Sequence, residues 1–116
     1  MRFKLVIAMV DEKKTERIMA AAREAGATGA TVIGSARGEG LTPQKTFLGL
    51  TLDTHREMLM FLVEEHLSRK VLEKIAEVGE FDSQEDRGVA FQMDVEDVVG
   101  LNKQIQTLMT EVEEEL

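Results

Sequence analysis

The apolar positions of this chain fall into runs of two different periods. Phe3 to Val10 and Arg56 to Val63, the second containing Met58-Leu59-Met60-Phe61-Leu62-Val63, are short, rich in β-formers and closed by charge, and neither shows polar alternation. Such runs predict strands covered on both faces. Ile18, Met19, Ala22 and Ala25 instead recur at helical spacing among Ala, Glu, Arg and Lys, with Gly26 as the stop; Leu67, Val71, Leu72, Ile75 and Ala76 repeat the pattern up to Gly79. Thr31 to Ala36 and Gly88 to Asp94 read as further strands, and Thr46 to Leu52 as an arm of a hairpin.

The resulting order, β-α-β-β-α-β, is that of the α+β, ferredoxin-like arrangement, in which both helices cover one face of an antiparallel sheet. A sheet with one wet face should alternate, and the first and third strands do not. The helix-free face is therefore expected to be buried, most simply against copies of the same chain, the alternative being that the C-terminal segment folds back over it. In that segment Leu101, Ile105, Leu108, Met109 and Val112 predict an amphipathic helix of about three turns. Glu111 to Glu115 put acid at its negative end, where the helix should fray. The division expected is a ferredoxin-like unit over 1–99 and an added helix over 100–116.

Composition narrows the function classes. At 116 residues, with 43% hydrophobic and 31% charged positions, the chain suits one globular domain rather than a disordered segment. A net charge of −8 lacks the basic footprint of a phosphate-backbone binder, so no nucleic-acid partner is expected. There is no Cys, hence no disulfide, thiolate metal site or cysteine nucleophile. The N-terminal run ends at Asp11-Glu12, too soon for a membrane span or a signal peptide, which predicts a cytoplasmic protein without direct membrane insertion. His55 and His66 fit no metal-ligand spacing and no Ser/His/Asp grouping is in view, so neither a metal site nor an enzyme is expected. Met9, Met19, Met58, Met60 and Met93 read as core filler.

Two segments could carry binding chemistry. In Gly34-Ser35-Ala36-Arg37-Gly38-Glu39-Gly40 the glycines let backbone amides approach a phosphate and Arg37 adds charge. The segment lacks the lysine and Ser/Thr of a P-loop, so an anion cradle and a strand-to-loop hinge both stand as readings. Asp82, Glu85 and Asp86 offer hard oxygen ligands, but their spacing fits no EF-hand and a solvated acidic turn is the better reading.

Several stretches together resemble the PII-type nitrogen regulatory signal proteins. Glu24-Ala25-Gly26-Ala27-Thr28-Gly29-Ala30-Thr31-Val32 is similar to the family's helix end, turn and second-strand start. Arg37-Gly38-Glu39-Gly40 resembles the Lys/Arg-Gly-x-Gly that opens its effector loop, once one extra residue is allowed in the preceding strand. Gly88 to Val98 resembles its last strand and the turn after it. The resemblance implies a homotrimer with nucleotide sites in the clefts between subunits, and a loop that grips a transporter, an enzyme or a regulator. Carried onto this chain, it makes Thr31, Arg37, Gly38, Gly40, Arg87 and Gly88 candidates for a small anionic effector such as ATP, ADP or AMP. It also places Leu41, Thr42, Pro43, Gln44, Lys45, Thr46 and Phe47 in an effector loop over about 38–54.

Departures accompany the likeness. Where the family's nucleotide loop carries Gly-Asp-Gly-Lys, this chain has Asp86-Arg87-Gly88-Val89, and two phosphate-holding basic positions appear as Gly100 and Asn102. The family's glutamine after the Gly-x-Gly is replaced within Leu41-Thr42, and the effector loop is shorter and has no tyrosine to modify. Arg87 offers a guanidinium beside the lost lysine position or else balances the acidic turn. Two further readings stand beside the sensor: a ligand-free oligomeric adaptor with a decayed nucleotide site, and a metal-tolerance-type trimer of the same shape.

Overall fold

The even-numbered residues of the first strand decide which side the helices take. The structure, a computed structural model, describes residues 1–36, 46–47, 50–51, 56–82 and 88–100. In strand β1 (Phe3–Asp11) Val6, Ala8 and Val10 point to one face and are fully buried. Leu59, Phe61 and Val63 of strand β5 (Arg56–Glu64) share that face, since Val6 pairs with Phe61 and Ala8 with Leu59. Helix α1 (Thr15–Glu24), entered through a single 3-10 turn (Glu12–Lys14), adds Ile18 and Ala22. Helix α2 (Glu65–Gly79) adds Leu67, Val71 and Ile75 and closes the core.

Strands β2 (Thr31–Ala36) and β6 (Gly88–Val95) complete a four-stranded antiparallel sheet of order β2-β5-β1-β6, the ferredoxin-like layout expected. The arm read over Thr46 to Leu52 is described only as the short pair β3 (Thr46–Phe47) and β4 (Leu50–Thr51), separate from the main sheet. The pairing of β2 with β5 shifts register: Ile33 faces Met58, but Ala36 faces Arg56. Three steps along β2 thus match two along β5, a bulge holding one extra residue.

Each helix ends on local chemistry. After α1, Gly26 takes φ +125°, and a Cβ there would stand 2.8 Å from Leu67 Cδ1, so the turn is open to glycine alone. At α2 the sequence put the stop at Gly79; the structure keeps Gly79 helical and gives the left-handed cap to Glu80, at φ 56°. Gly79 serves space instead: a Cβ there would lie 2.3 Å from Phe81 Cε1. Phe81 N–H then donates to Ala76 O at 3.1 Å and closes the helix end.

The odd-numbered face carries Leu5, Ile7 and Met9 of β1, Met58, Met60 and Leu62 of β5, and Phe91 and Met93 of β6, joined by register. Among the described residues no helix covers this apolar face, and Phe91 is 38% and Met93 46% exposed. Four of the five methionines read as core filler lie here rather than in the helix-side core; only Met19 packs against that core. Periodicity cannot distinguish the two faces of a strand that is apolar throughout. The predicted C-terminal helix, residues 101–116, lies outside the described residues.

Candidate functional site

Register brings the strand ends flanking the candidate segments to one end of the sheet. Ala36, the residue before Arg37, faces Arg56; Arg56 faces Asp11; and the next pair along, Val10 with Gly88, brings in β6. Ala36 and Gly88 nevertheless stand on opposite edges, three strand spacings or roughly 14 Å apart. Thr31 sits at the far end of β2, exposed and opposite Met60, roughly 15 Å along the strand from Ala36. Arg37, Gly38, Gly40, Leu41, Thr42, Pro43, Gln44, Lys45 and Arg87 lie outside the described residues, as do His55, Glu85 and Asp86; Thr46 and Phe47 are the described backbone of β3.

Gly88 is where the structure adds most. Its φ is +155°, and a Cβ would meet Phe81 Cε1 at 2.5 Å and the carbonyl oxygen of Met9 at 2.8 Å. The Phe81 ring therefore lies over two glycines at once, Gly79 at the end of α2 and Gly88 at the start of β6. It closes the neck of the segment between them.

Lys14 secures the same corner. Although only 7% exposed, its Nζ donates to Gly79 O at 3.2 Å and pairs with Glu80 Oε2 at 2.9 Å, so a cation sits on the negative end of α2. Thr15 Oγ1 donates to Glu57 Oε1 at 2.6 Å and ties the start of α1 to β5, while Glu57 Oε2 lies 3.4 Å from where a Cβ on Gly34 would stand, beside the bulge. Arg56, buried where the chain re-enters the sheet, completes this end. Lys14, Thr15, Arg56, Glu57 and Phe81 were not singled out from sequence. The one available signal was the glycine pair Gly79 and Gly88 flanking Phe81, whose meaning needs the fold.

The opposite end of the sheet holds a different cluster. Buried Glu64 caps α2, accepting from His66 N at 2.7 Å and pairing with His66 Nδ1 at 2.6 Å. That hydrogen bond, then the charge of Glu64, raises the exposed His66 imidazole above its ordinary value of 6.5. Among the described residues Glu64, Glu65 and His66 bring ligand atoms within 4.8 Å of one another, as a metal site would require. Glu64 already spends both oxygens on His66, so the trio is accounted for as a helix cap.

The sequence profile of the nitrogen regulatory protein P-II family matches residues 3–104. The chain belongs to that family. As a P-II protein it is similar in fold to CPII from Thiomonas intermedia solved with ADP, AMP and acetate, at 22% identity, covering 88% of this chain and 93% of that one with a TM-score of 0.66. The same CPII solved with ADP, AMP and bicarbonate matches at 20% identity over 86% and 97%, TM-score 0.63. A Thermus thermophilus protein described as PII-like signalling matches at 22% identity over 81% and 86%, TM-score 0.60. Among curated proteins none matches the chain. Among the described residues of this P-II chain no helix is long and apolar enough to cross a membrane.

Proposed function

We propose that this P-II protein is a cytoplasmic signalling subunit that assembles as a homotrimer through its helix-free sheet faces. It binds a small anionic effector, an adenine nucleotide such as ADP or AMP, in the clefts between copies and regulates a transporter or metabolic enzyme through the loop after β2. It acts by binding and switching rather than as an enzyme. The observation that carries this reading is the separation of Ala36 and Gly88 onto opposite edges of the sheet, roughly 14 Å apart. A ligand gripped by both glycine-bearing segments is completed more readily by the β2 edge of one copy and the β6 edge of the next. The apolar face supplies the reason for copies to meet, since a contiguous exposed patch of this kind marks an interface.

CPII structures with ADP and AMP make those nucleotides the first ligands to try. Effector binding would work by favouring one state of the loop, because a ligand shifts a conformational equilibrium only by its differential affinity for the two states. The test is a thermal-shift and calorimetric panel of ATP, ADP, AMP and bicarbonate, with and without magnesium, alongside light scattering for mass. Nucleotides should raise the melting midpoint, and the mass should be that of three chains. A panel in which no nucleotide shifts the midpoint removes the sensor reading.

A further inference from the structure

We infer that Phe81 is a positioning residue for the anion site: its ring, seated in the space left by Gly79 and Gly88, sets where the Gly88 backbone N–H stands. The inference rests on reading Gly88 as part of that site. Three contacts carry it. The ring occupies the Cβ positions of both glycines, 2.3 Å from that of Gly79 and 2.5 Å from that of Gly88, so a side chain at either would displace it. The Phe81 backbone is locked to α2 by its N–H to Ala76 O at 3.1 Å. The helix end that carries it is held in turn by Lys14, through Gly79 O and Glu80.

Strand β1 crowds the same Cβ position of Gly88. The Met9 carbonyl oxygen stands 2.8 Å from its missing Cβ, and Val10 pairs with it across the ladder. The backbone at Gly88 is thus paired to β1 while an aromatic ring from a helix terminus and the Met9 carbonyl both fill its Cβ side. A donor held this way is already placed when an anion arrives, and placement beforehand is what lowers the cost of binding. Because the ring is mounted on the end of α2, Lys14 belongs to the same device although it stands across the corner.

The experiment is calorimetric titration of full-length protein with ADP, well below the melting midpoint, for wild type, Phe81→Ala, Phe81→Tyr and Lys14→Met. Apo melting and light scattering report fold and assembly in parallel, and the Gly88 amide resonance is followed on ADP addition. Phe81→Ala should weaken ADP by about tenfold or more, while ring-retaining Phe81→Tyr stays within about threefold of wild type. The ADP-induced shift of the Gly88 resonance should shrink in Phe81→Ala and persist in Phe81→Tyr. Lys14→Met should weaken ADP in the same direction. If Phe81→Ala does not fold, Phe81→Leu takes its place and must show the loss. A folded, assembled variant without the ring that binds ADP as wild type does overturns the positioning role and leaves the anion reading intact. Wild type that binds none of ADP, AMP or bicarbonate overturns both.

Discussion

Replacing Gly88 by alanine tests the packing at the site corner without touching any charge. The new Cβ would stand 2.8 Å from the Met9 carbonyl oxygen and 2.5 Å from Phe81 Cε1. The ring can yield, but the carbonyl belongs to β1, which is paired on both sides by β5 and β6 and cannot move without breaking ladder contacts. Overpacking costs about 1–3 kcal/mol, and φ +155° on a residue with a side chain costs about as much again, giving roughly 2–6 kcal/mol. For a domain of this size that lowers the melting midpoint by roughly 10 °C or more. Gly29→Ala is the control, because no atom lies within 4 Å of its Cβ position and its φ is not left-handed; it should be neutral or stabilise by about 0.4–1 kcal/mol. The assay is thermal melting by circular dichroism at one fixed chain concentration, since assembly makes the midpoint concentration-dependent. Midpoints for the two variants within about 2 °C of each other would refute the argument from the Met9 carbonyl.

Lys14→Met keeps the aliphatic stem but leaves Gly79 O without its cationic donor, and should cost about 1–3 kcal/mol in urea unfolding. On the helix-free face, Phe91→Glu or Met60→Lys should turn the assembly into single chains in light scattering; unchanged mass would show that this face is not the interface. His66 gives a pH signature. Its folded value lies above the ordinary 6.5, so its contribution to stability is fully present below that value and is lost as pH rises through the folded value. Wild type should therefore lose stability over that interval relative to His66→Gln, and parallel pH–stability curves would contradict the pairing with Glu64. Glu64→Ala, which removes the cap itself, should cost about 1 kcal/mol at neutral pH.

Much of the fold was legible because it rests on local patterns. The all-apolar runs around Leu5 and Phe61 read as strands, and the three-and-four spacing of Ile18, Ala22, Leu67 and Val71 as helix faces, and both are found. The candidate site was less legible. Lys14, a lysine among lysines in Glu12-Lys13-Lys14, gives no sign of being buried, and its partner Glu80 is 66 positions away. Phe81 was not singled out, because its role is set by glycines on either side that come together only when β6 pairs with β1.

By itself, then, the sequence determined the elements, their order and the presence of a second apolar face on the sheet. These follow from periods of two and 3.6 residues and from backbone preferences, which act over a few positions. Only the tertiary structure decided which methionines meet the helices and which face outward, that the helix stop belongs to Glu80 rather than Gly79, and that Ala36 and Gly88 share a sheet end on opposite edges. Each of these depends on register and on packing between distant segments. A one-residue shift in pairing would move every side chain of a strand to the other face while leaving its local pattern unchanged.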